Sequence, residues 1–206
     1  MNQQQDQLEA LREIRSIMDR SSRFISLSGL SGIAAGLSAL AGAAIVKWHF
    51  SQYNVNYYQS SGTLTWTTIQ FMAAVALGVL ILAFSSALYF TARRARQNKQ
   101  RIWDSQSRRL LLNLAIPLAA GGAFCAVLLY HGIIYLVAPA MLVFYGLALI
   151  NGSKYTYGDI RYLGICEIIL GLVSSFFVGY GLLSWTIGFG MLHIVYGTLM
   201  YFKYER

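Results

Sequence analysis

The chain of 206 residues is 56% hydrophobic and only 12% charged, a balance that excludes a disordered or ordinary water-soluble chain because most of its surface must leave water. Its formal charge of +8 would suggest nucleic acid in a soluble domain, but the cations follow the membrane pattern set out below and no nucleic-acid partner is expected. Two cysteines, Cys125 and Cys166, fall inside apolar stretches and exclude a disulfide framework; they read as small apolar fillers.

The chain opens on a charged segment. Residues 7–23 place Leu8, Leu11, Ile14 and Met18 on one helical face, with Glu9, Arg12, Glu13, Arg15 and Asp19 around the rest. This pattern predicts an amphipathic helix lying along the membrane surface, so residues 1–23 form an interfacial N-terminal unit. Its simplest role is anchoring, with contact to a cytoplasmic partner as the alternative.

Six apolar stretches follow, at about 24–46, 68–92, 110–130, 132–151, 160–181 and 183–202, each near the ~20 residues that carry a helix across ~30 Å of hydrocarbon. Residues 24–206 are therefore expected to form one all-α, polytopic transmembrane helix bundle in the lipid bilayer. The first stretch is too long for a signal-peptide core and is read as a retained span. Fifteen of the sixteen Lys and Arg fall in residues 1–24, 93–109, 152–161 and the C-terminal segment, all on one side of such a bundle, and only Lys47 lies opposite. The positive-inside rule then predicts an N-in, C-in topology. The inner loop from Arg93 to Arg109 carries seven cations and one acid, Asp104, which suits anionic lipid headgroups, with a solvated loop that fixes topology as the simpler account. On the outer side, His49, Tyr53, Tyr57, Tyr58, Trp66 and His131 gather near the boundary, without the acidic or thiol neighbours and spacing of a metal site. No metal or other cofactor is implied.

The six spans read as three hairpins, with Arg23, Arg109 and Arg161 each opening an odd-numbered span, and with Trp66-Thr67, Met72 and Gly78 echoed by Trp185-Thr186, Met191 and Gly197. Such echoes suggest internal repetition of the kind transporters use. Ser28, Gly32 and Gly36 recur on one stripe of span one, with Ser31, Ala35 and Ala39 beside it. Small residues let helix backbones approach closely where lipid removes the hydrophobic drive, so these positions are expected at helix contacts. Pro117 and Pro139 predict kinks in spans three and four.

Two ionisable residues stand deep in the membrane. Glu167 lies about seven residues, or ~10 Å, from the inner end of span five, and His193 about ten residues, or ~15 Å, from that of span six. Each sits between glycines at identical spacing, Gly164 and Gly171 around Glu167, Gly190 and Gly197 around His193. Residues three and four apart share a helix face, so both polar groups are expected to point into helix contacts and to meet each other or a common cavity. A buried carboxylate without a partner costs several kcal/mol or takes up a proton, and an imidazole beside it answers that cost. The pair is therefore the candidate ion- or proton-binding site, with Tyr196 and Asn113 as further members.

The segments RSSRFISLSGLSG (20–32), YGDIRYLGICEIILG (157–171) and GFGMLHIVYG (188–197) resemble an uncharacterised group of small bacterial six-span membrane proteins over essentially the whole chain. The resemblance implies a bacterial inner membrane and no activity. The residues themselves point first to a small transporter or channel for an ion or small solute, which predicts a polar cavity reaching Glu167. A non-catalytic scaffold or sensor, predicted to be dry and tightly packed, is the alternative. An enzyme acting on a lipid or quinone is third, since no nucleophile and base stand at recognisable spacing. Faces left open on such a bundle also allow a homo-oligomer.

Overall fold

The computed structural model describes residues 28–53, 65–97 and 103–206, together with Gln7. The interfacial helix expected before span one therefore lies outside the described residues, as do Tyr57, Tyr58, Lys99 and Arg101. Every regular element among the described residues is helical. In chain order they are α1 (Gly29–Gln52), α2 (Trp66–Gln97), α3 (Ser105–Tyr130), a 3₁₀ turn (Ile134–Leu136) leading into α4 (Val137–Gly152), and α5 (Ile160–Phe176). A second 3₁₀ turn (Val178–Tyr180), α6 (Gly181–Trp185), a π-helical segment (Thr186–Leu192) and α7 (His193–Tyr204) complete the chain. Five of these runs are long and apolar enough to cross a bilayer: Gly29–Gln52, Trp66–Gln97, Ser105–Tyr130, Ile134–Gly152 and Val178–Tyr204. The chain is a multi-pass membrane protein.

The fifth expected span, 160–181, differs. α5 has 17 residues, about 26 Å at 1.5 Å per residue. It stops at Phe176 because Phe177 leaves helical geometry (φ −107, ψ 70), and the next run begins at Val178 rather than near 183. Two further boundaries move for local reasons. The described parts of the basic stretch, 93–97 and 103–109, are largely helical: α2 runs through Arg93, Arg94 and Arg96, and α3 starts on a capping box in which Asp104 Oδ1 accepts from the Ser107 N–H (2.7 Å) and Ser107 Oγ accepts from the Asp104 N–H (2.8 Å). Pro139 lies in the first turn of α4, where a missing N–H breaks no helical bond, and not at mid-span. Pro117 is inside α3.

Glycine sets the helix spacing. Four helices carry the frame Gly-x-x-X-Ile-x-x-small: Gly29 to Gly36 in α1, Gly146 to Ser153 at the end of α4, Gly164 to Gly171 in α5 and Gly190 to Gly197 in the last run. A Cβ on Gly146 would stand 2.5 Å from the Gly164 carbonyl oxygen and 2.7 Å from Ile168 Cγ1. Reciprocally, one on Gly164 would stand 2.7 Å from the Gly146 carbonyl oxygen and 2.9 Å from Ile150 Cγ1. The same clasp joins α1 to the last run: a Cβ on Gly36 would stand 2.6 Å from both the Gly190 carbonyl oxygen and Ile194 Cγ1, and one on Gly197 would stand 2.7 Å from both the Gly29 carbonyl oxygen and the Ile33 nitrogen. Real Cβ atoms do not approach that closely, so these helix pairs touch at the backbone. Both pairs are antiparallel, since contacts climbing one helix descend the other.

Two three-helix groups result. In one, α1 packs between α2 and α7; in the other, α4 packs between α3 and α5. α2 is peripheral, tied to α1 where Val75 and Val79 meet Gly42, with Leu77, Leu80 and Phe84 exposed on its lipid side. Between the groups the filling changes from backbone to large side chains: Leu149, Ile160 and Leu163 are buried against Tyr145, Tyr157, Leu192 and Tyr196. The π-helical segment stands at this seam. Gly190 presses on Leu40 of α1, and Gly188, two residues earlier and on the opposite side, presses on Leu142 of α4 and Glu167 of α5.

The basic end of the bundle is fastened unequally. Glu205 accepts bonds from the Gly29 backbone N–H, Ser28 Oγ (3.1 Å) and Arg94 Nη1 (2.9 Å), and Arg94 Nη2 donates to the Tyr204 carbonyl at 2.7 Å. This clamp joins α1, α2 and α7, and the side chains of its ion pair are only 11% and 12% exposed. Arg94 is thus committed inside the protein and not to lipid headgroups. Across the seam, Asp159 Oδ2 accepts from Lys203 Nζ and Tyr204 Oη, both at 2.6 Å, but the lysine side chain is 59% exposed. Exposed pairs of this kind contribute little to stability.

Candidate functional site

Glu167 and His193 meet. α5 delivers Glu167 into the seam on the face that carries Gly164 and Gly171, and the turn from the π-helical segment into α7 delivers His193. His193 Nδ1 lies 3.6 Å from Glu167 Oε1. That separation is an ionic approach and too long for a hydrogen bond.

The imidazole is held at both nitrogens. Nδ1 is 3.0 Å from the Gly188 carbonyl oxygen and Nε2 is 2.7 Å from Tyr145 Oη. A carbonyl only accepts, so Nδ1 carries a proton; in the neutral ring Nε2 then accepts from the tyrosine hydroxyl, and in the imidazolium it donates to it. His193 is a residue that can change charge without losing either bond. The Tyr145 and Phe189 rings flank it at centroid distances of 5.3 and 6.0 Å.

Glu167 is held by neither. Its side chain is 0% exposed, and neither carboxyl oxygen has a hydrogen-bond partner among the described residues. Its neighbours are His193, Leu142 and Gly188, whose missing side chain makes room for it: a Cβ there would stand 2.6 Å from Oε2. Such a site is closed in this conformation. The expected water-accessible cavity is not what surrounds the carboxyl; a cavity of about 280 Å³ lies instead at the basic end, lined by Ser28, Phe90, Arg93, Tyr201 and Glu205.

The other expected members separate. Tyr196 follows His193 by three residues toward the basic end and packs in the seam with Tyr145 and Leu163, its hydroxyl buried and without a hydrogen-bond partner among the described residues. Asn113 is brought to a different place. It accepts from Asn151 Nδ2 on α4 (3.1 Å to Oδ1, 3.0 Å to the carbonyl) and donates to the Arg109 carbonyl (2.8 Å), while Lys154 caps the chain by donating to Asn151 Oδ1 at 3.2 Å. This polar ladder ties α3 to α4 and does not touch Glu167. Gly32 and Gly36 lie against the last run, Gly164 and Gly171 against α4, and Gly190 and Gly197 against α1.

Ser174, two turns beyond Glu167 on the same face, is 2% exposed, and its hydroxyl lacks a hydrogen-bond partner among the described residues. The seam therefore carries, from one end to the other, Ser174, Glu167 with His193 and Tyr145, Tyr196, and then Asp159 with Tyr204 and Lys203. The bonds from Lys203 and Tyr204 hold the Asp159 carboxyl below the usual aspartate range, so it is charged at neutral pH. Elsewhere, His49 stacks on Phe71 at 4.0 Å, Cys125 lies 3.9 Å from the Val137 carbonyl, and Cys166 is exposed on the lipid side of α5.

Comparison adds no relative. No protein-family model, curated protein or solved structure matches the chain.

Proposed function

We propose that this membrane protein binds and releases a proton at Glu167 and His193, and that it uses this to move an ion or small solute as a small proton-coupled transporter. The observation that carries the reading is a fully buried carboxyl with no hydrogen bond, 3.6 Å from an imidazole whose other contacts survive either charge state. Intramembrane ionisable groups are expensive and usually mark a path for ions or protons. Because Glu167 is sealed, the reading is of a closed conformation that must open to exchange its proton, and a standing open channel is set aside. The division into two glycine-clasped groups across a side-chain seam supplies surfaces that can part while each group stays intact.

A second reading rests on the same sealed packing: a scaffold or sensor in which Glu167 and His193 lock one arrangement and nothing crosses. Protein in liposomes loaded with a pH-sensitive dye distinguishes the two. Under an imposed pH gradient and a clamped potential, transport predicts a proton flux that Glu167→Gln abolishes and His193→Ala reduces by at least tenfold. Wild-type flux equal to that of Glu167→Gln would favour the scaffold.

A further inference from the structure

We infer that protons reach Glu167 from the basic end, along the seam past Leu163 and Tyr196, through a mouth that Asp159 latches shut by binding Lys203 and Tyr204. This rests on the reading of Glu167 and His193 as a proton site and adds the side of access and the group that regulates it.

The two fastenings at the basic end differ in what they join. The Arg94–Glu205 clamp lies within the α1, α2 and α7 group and is nearly buried, so that group stays closed. The Asp159 bonds are the ones that cross from the start of α5 to the end of α7, and they sit at the surface. Screened, exposed pairs break easily. Directly behind them the Tyr157 and Tyr204 rings pack against each other, tilted by 31° with centroids 4.2 Å apart, and form an aromatic plug beside Ile160. Behind the plug stands the buried Tyr196 hydroxyl, one helical turn before His193. A buried hydroxyl with no protein partner is a place that water occupies when it can enter. From there the next polar groups are His193 and Tyr145, already bonded to each other, and then Glu167.

Among the described residues no comparable opening is offered at the other end. There Gly188 of the last run is pressed onto the Leu142 and Glu167 side chains across the seam, where an added Cβ would stand 2.4 Å from Leu142 Cδ2 and 2.6 Å from Glu167 Oε2. Opening that side requires lifting the π-helical backbone off two fully buried side chains, whereas opening the basic end requires releasing one carboxylate and turning two tyrosine rings, Tyr157 also leaving the Arg94 guanidinium 5.8 Å from its ring centre.

The test is thiol accessibility, which needs no knowledge of a transported solute. With Cys125 and Cys166 replaced by alanine, single cysteines are placed at Tyr196, at Leu163 and, as the far-end control, at Ser174, in protein held in lipid nanodiscs. A small charged methanethiosulfonate should label Tyr196→Cys and Leu163→Cys several-fold faster when Asp159→Ala, which removes the bonds to both Lys203 and Tyr204, is added, with Ser174→Cys unchanged. Two reporters guard against misfolding of either one. Unchanged labelling at both, or equal acceleration at Ser174→Cys, would overturn the route. Glu167-dependent proton flux with unchanged labelling sinks the route alone; accelerated labelling without any Glu167-dependent flux leaves the latch standing and sinks the transport reading.

Discussion

Replacing Glu167 by methionine should make the protein more stable and inactive at once. The substitution keeps length and flexibility and removes two buried oxygens that have no hydrogen-bond partner among the described residues. Leaving such a group unsatisfied costs about 1–3 kcal/mol, and an apolar side chain of similar shape removes that cost. His193 keeps both of its bonds, to the Gly188 carbonyl and to Tyr145, so no new orphan is created. At roughly 2–4 °C per kcal/mol for a chain of this size, the gain should appear as a rise of a few degrees or more in the thermal unfolding midpoint in detergent. In the same preparation, proton flux in liposomes should fall to background. A drop in the midpoint would refute the reasoning, because it would mean that the carboxyl holds the bundle together. Residues kept for chemistry at the expense of stability behave in the opposite way.

Gly188→Ala should destabilise by about 1–3 kcal/mol relative to Gly122→Ala, because its Cβ would meet Glu167 and the fully buried Leu142 whereas Gly122 faces open space; matched unfolding curves, with equal midpoints counting against the packing, decide this. Arg94→Ala should cost about 1.5–3 kcal/mol for the charge-assisted bonds lost at Glu205 and should loosen the start of α1, seen as faster hydrogen exchange at Gly29 and Leu30; protection equal to wild type would show that the clamp is not needed.

The helical class, most span positions and the Glu167–His193 meeting were legible for the same reason: depth and face follow from counting along a helix, and matching glycine frames mark faces that bury. Tyr145 was not, since a tyrosine in an apolar stretch carries no local sign of its partner, although its place beside Gly146 put it on a contact face. The π-helical segment left a trace in Gly188 and Gly190, two poor helix formers within one turn, which the hydropathy of the span concealed. Asn113 read as a member of the Glu167 site, but its partner was decided by the neighbouring helix, where Asn151 Nδ2 donates to it. Arg94 read as one cation of the basic loop and Glu205, 111 residues away, carried no sign of a partner; nothing periodic in a sequence reports such a pairing. The open cavity expected at Glu167 gave way to a sealed carboxyl because the glycines that bring the helices together also exclude water.

The recurring frame of α1, α4, α5 and the last run has one variable slot, occupied by Gly32, Leu149, Glu167 and His193. The flanking glycines and isoleucine carry the helix contact, and in three of the four helices the slot faces the seam. Chemistry and architecture are thereby assigned to different letters of one short word. A change at the slot can introduce a carboxylate, an imidazole or a hydrocarbon into the membrane interior while the distance between helices stays fixed by its neighbours, so a lineage built on this frame can exchange what it binds without learning to fold again.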